Sequence, residues 1–248
     1  MNSPVYIMWL RQIKKYLRSK PRIVGSLGQP ILFLVALGFG LGALYKSAEG
    51  GSFVDFLAPG IIAMSILFTS MFAGIEVIWD RQFGFLKETL VAPVSRFKIM
   101  FGRTLGGATT AIIQGIIVLI ITIIIGFRPN LVLLPVALIF MILIGIFFTS
   151  LGTAIASKLE DMQAFPLIMN FLIMPLFFLS GALFPLKDAP NFLKIIAYFD
   201  PLTYGVDGLR AALTGASQFG IITNLLVCTI LSIAVLALGS RMFNKIQI

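Results

Sequence analysis

Six stretches of this 248-residue chain run for 20 residues or more without a charged side chain. They cover 23–45, 56–75, 104–127, 129–157, 162–186 and 211–240, with lengths of 23, 20, 24, 29, 25 and 30 residues. A helix needs about 20 apolar residues to cross the hydrocarbon core of a bilayer. Each stretch is long enough to cross once, and none is long enough to cross twice. Spanning β-strands need only about 10 residues of alternating polarity, and nothing here alternates. The sequence therefore predicts an all-α membrane protein with one transmembrane domain over 1–248. Its six spans lie at about 24–45, 57–79, 102–127, 131–157, 163–184 and 220–240. Composition excludes the alternatives: 58% of residues are apolar and 12% charged, half the charge of a soluble domain, and disorder needs the opposite balance.

The charges sort by side. The odd-numbered side, from the N-terminus onward, holds 14 of the 19 Lys and Arg residues, and the other side holds Lys46, Arg128, Lys187, Lys194 and Arg210. This bias places both termini in the cytoplasm of a multi-pass protein of the plasma (cell inner) membrane. It also accounts for the net charge of +9 with membrane lipid, and not nucleic acid, as the partner. Residues 1–22 have six basic residues and no apolar core segment, so no cleaved signal peptide is expected.

With no histidine in the chain, a His-based relay or metal site is excluded. Cys228 is the single cysteine, so no intramolecular disulfide framework exists, and its apolar run predicts a buried thiol. No glycine is followed by lysine, so the phosphate-cradling loop of a nucleotide hydrolase is absent. No catalytic, cofactor-binding or metal-ligating residues are expected. Glu76 is the only acidic residue inside the spans. It lies at their cytoplasmic end, where pairing with Arg81 or the N-terminal helix is the expected role, not an ion relay.

Residues 3–20 predict an amphipathic interfacial helix. Tyr6, Trp9, Leu10, Ile13, Tyr16 and Leu17 fall on one face, and Arg11, Lys14, Lys15 and Arg18 on the other. Two readings stand, an anchor that fixes orientation and an entry helix bordering a cytoplasmic partner. The loop at 80–95 predicts a short helix with Phe83, Leu86 and Leu90 as its apolar stripe, flanked by Asp80, Arg81, Lys87 and Glu88. Pro93 stops it, and Ser95 caps the next helix. Such a helix docks in a groove of another protein or lies on the chain's own helices or on lipid.

Residues 190–214 predict two short external helices that dip partly into the outer leaflet. Phe192, Ile195, Ile196 and Phe199 form the apolar face of the first. Asp200-Pro201 caps the second, whose face is Leu202, Val206, Leu209 and Leu213, with Gly215 at its end. They act as a lid over an exit path or as structural packing. Asp207 and Arg210 are spaced to pair. Gln114, Asn170 and Ser180 are candidate path-lining residues, and Gly102 with Gly106 permits close helix contact.

Three stretches carry a family resemblance. Trp79-Asp-Arg-Gln-Phe-Gly-Phe-Leu-Lys-Glu-Thr-Leu-Val-Ala-Pro-Val-Ser95 is similar to the acidic-Arg-x-x-Gly segment of the type-2 ABC exporter permeases. Phe178-Leu-Ser-Gly-Ala-Leu-Phe-Pro185 and Asp200-Pro-Leu-Thr-Tyr-Gly-Val-Asp-Gly-Leu-Arg210 resemble two further motifs of that family. Asp80 replaces a common Glu, Phe85 a common Thr and Asp200 a common Asn. The resemblance implies a non-catalytic permease subunit, working as a homodimer with two copies of a separate ABC ATPase. That partner would bind the ATP and magnesium. The ATPase would meet the interfacial helix and a coupling segment made of Asp80, Arg81, Phe83, Gly84, Leu86, Lys87, Glu88 and Leu90. Pro201, Tyr204, Asp207 and Arg210 would form an external gate over a path at the dimer interface. The segments Arg18-Ser-Lys-Pro-Arg-Ile and Gln29-Pro-Ile-Leu-Phe-Leu look closest to the daunorubicin-resistance type. This implies multidrug efflux or export of another amphiphile, whether lipid or glycan. Two alternatives from other classes are an ion-coupled secondary carrier and a non-transporting membrane scaffold.

Overall fold

A computed structural model describes residues 3–40, 42, 52–159 and 161–244. The end of the first expected span, with Lys46 and Lys245, lies outside them. The described residues form eleven α-helices and no strand. Helix α1 is Pro4–Arg18, α2 Lys20–Gly40, α3 Phe53–Ala73, α4 Ile75–Gln82, α5 Phe85–Val91 and α6 Arg96–Ile125. After a 3-10 turn at Leu131–Leu133 come α7 Leu134–Ala156, α8 Ala164–Leu179, α9 Asn191–Phe199, α10 Pro201–Thr214 and α11 Ile221–Asn244.

The protein is an all-α membrane protein. Among the described residues, five helical stretches are long and apolar enough to cross a bilayer: Lys20–Gly40, Phe53–Gln82, Arg96–Ile125, Leu131–Ala156 and Ile221–Phe243. The Phe53–Gln82 stretch joins α3 and α4 and forms the axis of the bundle, with 72% of its apolar window buried, against 17% for α2 and α11. The two outer helices turn apolar sides such as Leu32, Phe39, Ile230 and Leu238 outward. Lipid tails are as apolar as these side chains, so such exposure carries no penalty in a bilayer. Helix α6 packs along α3, α7 and α1, and α10 lies across α3, α7 and α11.

The expected fifth span, 163–184, is a helix only as far as Leu179. Gly181 has φ +72, a left-handed conformation that suits glycine and ends the helix in a turn. That turn brings the Ala182 backbone onto Gly60 of α3, where a Cβ would come within 2.4 Å of the Ala182 carbonyl oxygen. At the other end of α8, Phe165 packs edge-on against Phe72 of the same α3. Near the C-terminus, Gly239 of α11 lies against Met100 at the start of α6 and Ser150 toward the end of α7.

Ser95 caps α6 by accepting from the Lys98 N–H, as its sequence position predicts. The interfacial helix is α1, which ends at Arg18, and Ser19 separates it from α2. It does not stand off the bundle. It lies on α6, where a Cβ on Gly102 would come within 2.8 Å of Met8 and one on Gly106 within 2.5 Å of Gln12. These two glycines, one turn apart, seat a helix of this chain's own.

Candidate functional site

Helix α4 carries two carboxylates four residues apart, Glu76 and Asp80, on one helical face. Both are buried, and a buried carboxylate needs a partner charge. Asp80 has two. One oxygen accepts from Arg11 of α1 at 2.9 Å, and the other from the buried Arg103 of α6. Glu76 accepts from Arg22 of α2 at 2.8 Å and lies 3.4 Å from Lys15 of α1. One turn of α4 therefore ties α1, α2 and α6 together. Arg81 points another way and donates to the backbone carbonyls of Ser157 and Leu159, at the end of α7. The pairing of Glu76 with the N-terminal helix is present through Lys15, while Arg81 is engaged elsewhere.

Of the expected interfacial-helix residues, Trp9 donates its indole N–H to the Thr109 hydroxyl on α6. Lys15 also lies over the Trp79 ring, 5.4 Å from its centre. Lys14 and Arg18 are exposed. Beyond α4, Gly84 turns the chain with φ +81, a conformation open to glycine, and α5 begins. The expected stripe divides there. Leu86 is fully buried in the chain's own core and Leu90 packs beside it, while Phe83, Phe85 and Val91 are exposed with Lys87 and Glu88. Asp80 belongs to α4 and is buried, so it does not lie on the exposed surface of the loop.

At the opposite end, Asp200 caps α10 by accepting from the Leu202 N–H, with Pro201 at the first helical position. The expected face Leu202, Val206, Leu209 and Leu213 is wholly buried. The face expected for α9 points outward instead, with Phe192, Ile195, Ile196 and Phe199 all exposed. Tyr204 donates to the Tyr198 carbonyl. Asp207 turns away from Arg210 and gathers the 217–224 segment. It accepts from the Ser217 hydroxyl, the backbone N–H groups of Gln218 and Phe219, and the Asn224 amide. Arg210 donates to the Gly181 carbonyl at 2.9 Å and lies over the Phe56 ring, 4.3 Å from its centre. The four expected gate residues thus share α10, and three of them each hold a different neighbouring segment. Burial pushes the Asp200 carboxyl up to about 7, against the lowering effect of its hydrogen bonds from Leu202 and Thr203.

The expected path residues are not brought together. Gln114 is buried and accepts from the Tyr16 hydroxyl at 2.6 Å. Asn170 is exposed on α8, and Ser180 is buried with its hydroxyl on the Phe177 carbonyl. A cavity of about 690 Å³ lies elsewhere, among α1, α2, α3 and α4. Sequence reasoning missed Arg22 and Arg103 as partners of the two carboxylates. Arg103 had one visible signal: it sits about two turns inside a helix that starts at Arg96, where a cation needs a counter-charge. Among the described residues no three metal-ligating side chains cluster.

A family profile described as ABC-2 type transporter matches residues 4–214. Nodulation protein J of Rhizobium leguminosarum bv. viciae is 31% identical over 195 residues, covering 78% of this chain and 75% of that protein. A protein named as a transport permease, ycf38, from Cyanophora paradoxa is 30% identical over 196 residues, covering 76% of this chain and 66% of its own. Nodulation protein J of Rhizobium meliloti is 28% identical over 196 residues, covering 78% and 74%.

Proposed function

This chain belongs to the ABC-2 type transporter family, and from that premise we propose that it is the permease subunit of an ATP-driven exporter of an amphiphile. ATP and magnesium are bound and used by a separate ABC ATPase, present in two copies against a homodimer of this chain in the plasma membrane. Both termini are cytoplasmic and α8, with the turn after it, makes a sixth crossing. That count is supported by α8 running beside α3 from Phe72 to Gly60, and by α1 and the end of α11 meeting the same end of α6.

One observation carries the docking assignment. Helix α5 is pinned through Leu86 and leaves Phe83, Phe85 and Val91 exposed beside Lys87 and Glu88. An apolar patch with a charged border, held on the water side, suits a groove in a partner protein. The α4 carboxylates behind it join α5 to α1, α2 and α6, so displacement of α5 reaches three helices. The ATPase is the occupant expected from family membership.

The test is co-purification. The double variant Phe83→Glu/Phe85→Glu places charge in a desolvated contact and is expected to reduce recovery of the ATPase subunit about tenfold or more. Its own elution volume and melting temperature should match the parent chain, because neither side chain belongs to the core. Undiminished ATPase recovery would reject α5 as the docking helix. Leu86 is unsuited to this test, since its replacement opens the core.

A further inference from the structure

The cavity of about 690 Å³ is lined by residues of four helices, and its wall is graded. At the cytoplasmic mouth stand Arg22 and Lys15, with Ser19 between the helices that carry them. Deeper lie Phe68, Phe72 and Pro30. Of the polar side chains in that wall, Tyr16, Ser26 and Ser65 donate within the chain, whereas Gln29 of α2 and Thr69 of α3 have no hydrogen-bond partner among the described residues. Gln29 is seven residues beyond Arg22, about 10 Å further along α2.

The charge at the mouth is unbalanced. Glu76 is the shared counter-ion of both Arg22 and Lys15, which leaves one net positive charge. Arg22 gives one Nη to Glu76 and retains further donors. Its side chain is 32% exposed and that of Lys15 is 41% exposed, so both are accessible from the cavity. Lys14, Arg18 and Lys20 add exposed positive charge nearby. A guanidinium beside an ammonium suits a phosphate or carboxylate. The apolar wall suits a hydrocarbon body, and polar groups at this depth need partners that lipid tails do not supply.

We propose that this cavity binds an amphiphile with an anionic headgroup. The anion rests between Arg22 and Lys15, the apolar body lies on Phe68, Phe72 and Pro30, and Gln29 with Thr69 receives a hydrogen-bonding group below the head. The proposal deepens the permease reading and rests on it only in treating the bound molecule as cargo.

Trp79 lines the same cavity and provides the readout. The chain has two tryptophans, and Trp9 sits against α6, so a Trp9→Phe background leaves Trp79 as the single reporter. The protein is placed in phosphatidylcholine nanodiscs and titrated with brominated-chain phosphatidate or brominated-chain phosphatidylcholine. Phosphatidate is expected to quench Trp79 at about tenfold lower mole fraction, a preference of about 1.4 kcal/mol. Arg22→Gln should remove most of that preference. Ser26→Phe fills the cavity without touching the ion cluster, and should remove it even if Arg22→Gln perturbs the fold. Equal quenching by the two lipids, or a preference that survives both variants, overturns the proposal. So does relief of quenching by inorganic phosphate as strong as that by short-chain phosphatidate, since the site would then bind a free anion. No ATPase is present in this assay, so its failure leaves the docking of α5 standing, and the failure of co-purification leaves this result standing.

Discussion

The two ends of the bundle hold their buried carboxylates in opposite ways. At the end that carries α4, Asp80 and Glu76 are neutralised by four cations 23 to 69 residues away in sequence, all from other helices. At the opposite end, Asp207 is held by hydroxyl, amide and backbone N–H donors 10 to 17 residues further on. Asp200 is held by donors two and three residues on. The first arrangement sets the relative position of separate helices by charge, and it responds when charge nearby changes. The second fixes the shape of one local segment. Positional control therefore lies at the end where α5 is exposed, and local rigidity at the other.

The largest expected effect comes from Asp80→Ala. It leaves Arg103 buried without a counter-charge, and losing one partner of a buried pair costs about 3–5 kcal/mol. Thermal unfolding in detergent should show a pronounced drop, with much of it recovered when Arg103→Met is added to Asp80→Leu. Asp207→Ala should come next, at about 2 kcal/mol, because water reaches its partly buried donors and replaces some of the lost bonds. It should loosen hydrogen-exchange protection in 217–224 while leaving ATPase recovery unchanged. If Asp207→Ala proves the more destabilising, or reduces ATPase recovery, the contrast between the two ends fails.

The smallest effect is a pH dependence at Asp200. Its folded carboxyl sits at about 7, above the ordinary 3.8, so the folded chain holds a proton that the unfolded chain releases. Stability from this group is fully present below about 3.8 and falls as pH rises to about 7. Asp200→Asn keeps an acceptor for the Leu202 N–H and removes the charge. The variant should melt higher than the parent at pH 8 and equally at pH 4. A parent whose advantage grows with pH would show the carboxylate to be stabilised where it sits.

Much of the fold was legible because charge is so scarce. Uncharged runs locate the long helices, and Asp200-Pro201 with Gly215 brackets α10 within its observed bounds. The runs cannot show a turn inside themselves, so Gly181 ended α8 earlier than expected. Helical periodicity found the apolar faces of α5 and α9 but not their direction. In water an apolar face turns inward, whereas beside lipid Phe192 and Phe199 need no cover. On α5 the stripe was divided by its neighbours, with Leu86 taken into the core and Phe83 left outside. The partners of Asp80 and Glu76 were hidden for a different reason. Complementary charge is visible in a sequence, but contact across 54 or 69 residues is not.

The seat of α1 on α6 has a mechanical consequence. Gly102 and Gly106 bring the two helix axes close, and the Trp9 indole pins them a further turn along at Thr109. Two rods joined at three successive turns cannot roll independently, so they behave as one stiff beam. Asp80 grips that beam from both sides, through Arg11 and through Arg103. A push on α5 that shifts α4 would therefore act as a torque on the beam about its glycine contacts, and α1 would be carried with α6 as its short outer arm.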